Sequence, residues 1–113
     1  MYEKDIPNVM AMLEGCEKIS SFTSDCCSPD DFYTDKKTFD AVLMNFVVIG
    51  ESAGRISHST KHEASFIPWR QIQNFRNILA HNYFGVDAEE VWQIIQNQLP
   101  QLRQQLSDLL KNR

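Results

Sequence analysis

Apolar residues recur every three or four positions along most of the chain, a spacing that predicts helices rather than strands. Ile6, Val9, Met10, Leu13 and Ile19 form the first series, which places an amphipathic helix over about residues 5–23. Turn-forming residues follow, Ser24-Asp25-Cys26-Cys27-Ser28-Pro29-Asp30-Asp31, and Ser28 with Asp31 is suited to cap a short helical turn starting at Pro29. From Asp35 onward Phe39, Val42, Leu43, Phe46, Ile49, Ala53 and Ile56 keep the helical period, while Met44, Val47 and Val48 make the opposite side apolar too. A helix that is greasy all round belongs at the centre of a bundle or against a second subunit.

The tract Ser57-His58-Ser59-Thr60-Lys61-His62-Glu63 is polar, and Phe66-Ile67-Pro68-Trp69 reads as an extended entry to a third long helix with Pro68 in its first turn. Trp69, Ile72, Phe75 and Leu79 give that helix its apolar stripe. Tyr83-Phe84-Gly85 looks like its end, with Gly85 suited to a left-handed closing residue. Asp87-Ala88-Glu89-Glu90 then reads as a capping box opening a last helix whose stripe is Val91, Trp92, Ile95, Leu99, Leu102, Leu106, Leu109 and Leu110. Pro100 has no backbone donor and should kink or split this helix, leaving Leu99 to Arg113 as the second piece. These elements predict an all-α, up-and-down helical bundle of four to five helices, with one domain over residues 1–113.

A chain of 113 residues can bury one core but little more, so a second subunit covering an apolar face would add stability. The 11 Lys and Arg against 15 Asp and Glu give a net charge of −4, which excludes broad attachment to nucleic acid through a basic surface. Contact with RNA is then confined to a local cluster, since screening limits electrostatics to about 10 Å. The longest apolar stretch, Ala41 to Gly50, is about half of what a membrane helix needs. The amino end has no basic flank followed by an apolar run, so a cytoplasmic location without a secretion signal is expected. Cys16, Cys26 and Cys27 are odd in number and lack C-x-x-C spacing, which favours free thiols over a metal or redox site.

Candidate chemistry gathers in the third long helix, where Arg76-Asn77-Ile78-Leu79-Ala80-His81-Asn82-Tyr83 forms an R-x4-H-x-Y arrangement. On an ideal helix Arg76 and Tyr83 nearly eclipse, but Arg76 and His81 differ by about 140°. Either the helix unwinds near His81, or a second copy of the helix completes the site in a symmetric dimer. Asn77 shares a face with His81 and could orient its imidazole or contact the same ligand. Arg offers fixed donors to a phosphate, His moves a proton near neutral pH, and Tyr supplies a hydroxyl. Together they suit cleavage of an RNA phosphodiester by its neighbouring 2′-hydroxyl with no metal and no cofactor. An exposed set of side chains bonded only to carbonyls would contain the same residue types.

The motif, flanked by Ile67-Pro68-Trp69-Arg70 upstream and by Phe84-Gly85-Val86-Asp87 and Val91-Trp92-Gln93-Ile94-Ile95 downstream, resembles the HepT family of the HEPN superfamily. The likeness extends to Ile49-Gly50-Glu51-Ser52-Ala53. Asn74-Phe75 and Ser52 depart from its pattern at positions that concern packing. The resemblance implies a homodimeric helical bundle acting as a metal-independent endoribonuclease toxin of a type VII toxin–antitoxin system. It further implies a minimal nucleotidyltransferase antitoxin as partner, in a complex of undetermined size, which silences the toxin by transferring AMP to Tyr83. On this reading Arg76 stabilises phosphate, His81 is the general acid or base, and adenylate on Tyr83 repels incoming RNA.

Other signals are weaker. Glu51 and Arg55 are four apart and suited to a helix-surface ion pair, the alternative being that Glu51 orients Arg76 or His81 across the bundle. His58 and His62 share a helical face but lack a third metal ligand, and Trp69 and Trp92 fit the core better than a base-stacking surface. Two rival functions use the same residues: a non-catalytic, substrate-binding subunit of a two-component nucleotidyltransferase, and a plain helical assembly module.

Overall fold

The structure, a computed structural model, describes residues 1–112. Four long segments carry the architecture: α1 (Ile6–Phe22), α3 (Lys36–Gly54), α5 (Trp69–His81), and the pair α6 (Ala88–Asn97) and α7 (Leu99–Lys111). Two six-residue helices, α2 (Pro29–Thr34) and α4 (His58–Glu63), join them, with no strand among the described residues. The all-α bundle is therefore as expected, with more short helices than the apolar pattern marks. The far end of the final expected helix, Arg113, lies outside the described residues.

Helix α3 sits between α1 and α5, and α1 in turn packs against α7. The central place of α3 follows from its two apolar sides: Phe39, Val42, Leu43, Phe46, Ile49 and Ala53 are buried, while Met44 and Val48 remain open. On α1 the buried stripe is Val9, Met12, Cys16 and Ile19, whereas Met10, placed in the stripe by its spacing, is 53% exposed. Burial pushes the Cys16 thiol up to about 12, so it packs as an inert apolar group. All three cysteines are free. Phe32 of α2 is fully buried, its ring 5.2 Å from Phe39 and 5.9 Å from Trp92, and so fixes α2 against α3 and α6. Trp69 and Trp92 are both in the core, and the Trp69 indole donates to Ala64 O at 3.0 Å.

The caps explain where helices start. Ser28 Oγ accepts from Asp31 N, Asp35 from Thr38 N, and Asp87 Oδ1 from Glu89 N. Pro100 stands in the first turn of α7 after the chain leaves α6 at Gln98, dividing the last helix as its missing donor requires. Pro68 precedes α5 as its cap residue rather than entering its first turn.

The polar tract 57–63 forms helix α4, which agrees with His58 and His62 sharing a helical face. Its stability comes from far away in the chain: buried Asp5 accepts from Ser57 N at 3.0 Å, from Ser57 Oγ at 2.5 Å and from Thr60 Oγ1 at 2.6 Å. Burial raises the Asp5 carboxyl, but the hydrogen bonds from Ser57 and Thr60 outweigh it and hold the group below its usual range. A depressed carboxylate stabilises the fold above its unfolded value near pH 4, and that contribution disappears as pH falls through the folded value. Asp5→Ala should therefore cost about 1–3 kcal/mol at neutral pH through unpaired hydroxyls. Chemical denaturation across pH should show the gap between the two proteins closing below about pH 4.

Candidate active site

Helix α5 reaches the site as an edge element. It packs on α3 through buried Leu79 and half-buried Ile72 and Phe75, while Arg70, Asn74, Asn77, Ile78 and His81 face outward. The helix stays regular through His81. Asn82 N still donates to Ile78 O at 2.8 Å, but its φ of −147° and ψ of 48° leave the helix, and Tyr83–Gly85 form a single 3-10 turn. The break thus comes one residue too late to swing His81 toward Arg76, and the two keep the angular separation of about 140° that an ideal helix imposes. Gly85 does not close the helix in a left-handed conformation, since no glycine among the described residues has a positive φ. A Cβ there would lie 2.8 Å from Asn82 Cγ, a clash that the exposed Asn82 side chain could relieve by turning away.

Arg76 turns toward α3. Its Nη2 forms an ion pair with Glu51 Oε1, and its Nη1 donates to Asn77 Oδ1 at 3.0 Å. Glu51 therefore reaches across the bundle to Arg76, 25 residues away, in place of the expected pair with Arg55. Asn77 likewise spends its side-chain oxygen on Arg76 rather than on His81. With the two side chains 32% and 42% exposed, water screens the ion pair, and its main effect is to fix where the guanidinium points. Arg76 Nε is shielded from solvent and has no hydrogen-bond partner among the described residues. Beside this pair lies an open cleft of about 250 Å³, lined by Glu51, Arg55, Arg76 and Asn77.

Tyr83, past the break, also faces α3. Its hydroxyl donates to Asp40 Oδ1 at 2.6 Å, and this bond, with burial and the negative charge of Asp40, pushes the phenol up to about 12. Arg76 and Tyr83 thus meet two acidic residues of one exposed stripe, Asp40 and Glu51, eleven apart on α3 and about 20° from eclipsed. Glu51 was legible as a candidate, whereas Asp40 was not; its signal was its place on that stripe. Phe84, fully exposed, packs edge-on to the Tyr83 ring at 5.6 Å. His81 is open to solvent at the end of α5.

Other candidates stay apart from this cluster. His58 and His62 are exposed on α4, and no group of three or more His, Cys, Asp or Glu side chains among the described residues is arranged to hold a metal ion. A cavity of about 270 Å³ between α3, α5 and α7 is lined mainly by Phe46, Ile49, Ile72, Phe75, Leu99 and Leu102, with no ionisable side chain. No helix among the described residues is long and apolar enough to cross a membrane.

A family model described as "Ribonuclease HepT-like" matches residues 12–109, nearly the whole chain and every residue of the cluster. The chain belongs to the HepT-like ribonuclease family. A relative in Thermococcus cleftensis, named "Probable ribonuclease HepT", is 37% identical over 98 residues, covering 87% of this chain and 88% of the relative. Another in Methanocaldococcus jannaschii, named "Gamma-glutamylcyclotransferase and putative RNase", is 31% identical over 100 residues, covering 88% of this chain. This HepT-like chain spans less than half of that second relative, 45% of its length. No solved structure matches the chain closely.

Proposed function

We propose that this HepT-like protein is the endoribonuclease toxin of a toxin–antitoxin pair, cutting cytoplasmic RNA without a metal as a homodimer and silenced by adenylylation of Tyr83. The observation that carries the reading is the arrangement of the motif: within a chain that matches the ribonuclease family, Arg76, His81 and Tyr83 all keep exposed side-chain surface along the second half of α5 and the turn after it. Arg76, aimed by Glu51 and Asn77, binds the scissile phosphate and stabilises charge on its oxygens as the 2′-hydroxyl attacks. Arg55 on the same cleft adds a second cation. His81 moves the proton, to or from the 2′-hydroxyl or the leaving oxygen.

Because Arg76 and His81 diverge on one helix, the working site takes the arginine of one subunit and the histidine of the other. Apolar surface left open at Ile78 and Phe84, beside His81 and Tyr83, favours such a pairing. The partner antitoxin is a nucleotidyltransferase that places AMP on Tyr83. The added bulk and negative charge repel an RNA phosphate from Arg76 and His81.

Unmodified protein, verified by intact mass, should cleave RNA in excess chelator. Coexpression with the nucleotidyltransferase should add adenylate and stop cleavage, and Tyr83→Phe should prevent the addition. Absence of cleavage of any RNA by the verified unmodified protein would overturn the nuclease reading.

A further inference from the structure

The hydroxyl of Tyr83 already has a partner that the motif does not contain. We propose that Asp40 positions this hydroxyl and accepts its proton when a nucleotidyl group is transferred to it from a nucleoside triphosphate, a role that rests on the modification of Tyr83 described above.

The geometry is that of a poised nucleophile. Asp40 Oδ1 lies 2.6 Å from the Tyr83 oxygen, bridging 43 residues of sequence and two helical segments. With its hydrogen directed at Asp40, the phenol oxygen keeps its lone pairs free for an incoming phosphorus atom. Both residues are exposed, so a partner enzyme can reach them. The fold assigns Asp40 no structural task in its helix: α3 is capped by Asp35, and Asp40 stands on the solvent stripe five residues further on. Even an ordinary phenol, with a pKa of about 10, supplies almost no phenolate at neutral pH, so transfer needs a proton acceptor already in place. An aspartate taking the proton of an attacking hydroxyl is an established solution in phosphoryl transfer.

The step balances as follows. A bond forms between Tyr83 Oη and the α-phosphorus, and the bond from that phosphorus to the pyrophosphate oxygen breaks, its electron pair leaving with pyrophosphate. The phenolic proton passes to Asp40 Oδ1 and then to water.

The test uses the full chain, ATP and the nucleotidyltransferase partner, with adenylate addition followed by intact mass. Asp40→Asn keeps the shape and the accepting oxygen but is a poor proton acceptor. It should lower kcat for transfer about 100-fold with KM for the acceptor chain nearly unchanged, and Asp40→Glu should restore part of the rate. In the same variant an absorbance titration of Tyr83, taken as the difference from Tyr83→Phe, should move from about 12 back toward the ordinary tyrosine value. An unchanged kcat in Asp40→Asn, or a change in KM alone, would overturn the role of Asp40 while leaving Tyr83 as the modified residue. Transfer that persists in Tyr83→Phe would overturn the modification reading itself, and the role of Asp40 with it.

Discussion

His81→Ala should lower RNA cleavage by about 10²–10⁴-fold, the usual worth of a positioned proton-transfer group. Stability should change little, by up to about 1 kcal/mol, since the exposed side chain buries nothing and gives up only a charge in the last turn of α5. Activity assays in chelator and a thermal melt separate the two effects. The variant also tests how the site is assembled. Arg76 is held toward α3 by Glu51, whereas His81 faces away from the bundle, and the regular helix between them cannot bring them together. If the site is shared across a twofold axis, a mixed dimer of Arg76→Ala and His81→Ala subunits contains one dead site and one site with both native residues. Equal mixing after dissociation should then recover about a quarter of wild-type activity, because half of the dimers are mixed and each has one good site. Two inactive parents that stay inactive on mixing would mean that arginine and histidine act within a single chain, which this helix geometry contradicts.

What the sequence made legible was whatever local spacing encodes. Helices α1, α3, α5, α6 and α7 each have an apolar stripe, and the break at Pro100 and the cap at Ser28 follow from residue type alone. The features that local spacing left unmarked share a cause. Helix α4 has one buried side chain, Thr60, and is anchored by Asp5 from more than fifty residues away, so no local period announces it. Local neighbourhood gave Glu51 to Arg55, but the closer contact between α3 and α5 brings Arg76 instead. Asp40 was invisible for the same reason: its partner lies on another segment and beyond a helix break. On α1, Met10 fits the spacing of an apolar face but points outward, while Met12 and Cys16 fill the core between α1 and α3. Periodicity locates a face only to within a residue or two, and the packing of a neighbour selects among them.

The residue that could have disclosed the α3–α5 contact is Gly50, and Gly50→Ala has the second large expected effect. A glycine inside a helix costs about 1 kcal/mol relative to alanine, so its presence at mid-helix needs a reason. Here the reason is space. A Cβ at Gly50 would overlap Arg76 Cβ, lie 2.7 Å from Arg76 Cγ and sit 3.3 Å from the Ile72 carbonyl oxygen. None of these atoms is the free end of a side chain, so relief requires α5 to move away from α3. Overpacking of this kind costs about 1–3 kcal/mol, and the gain in helix propensity offsets about 1 kcal/mol of it. The melting temperature should therefore fall by only a few degrees. Activity should fall much further, because a displacement of a positioning group by about 1 Å can cost 100-fold. Gly54→Ala, on the same helix with only Gln73 Nε2 at 3.5 Å nearby, is the control for stability and should hold or raise the melting temperature. A Gly50→Ala protein that melts slightly early and cleaves RNA at the native rate would mean that the depth at which Arg76 sits against α3 is irrelevant to the chemistry. The ion pair with Glu51 would then be an ordinary surface contact rather than the device that aims the guanidinium.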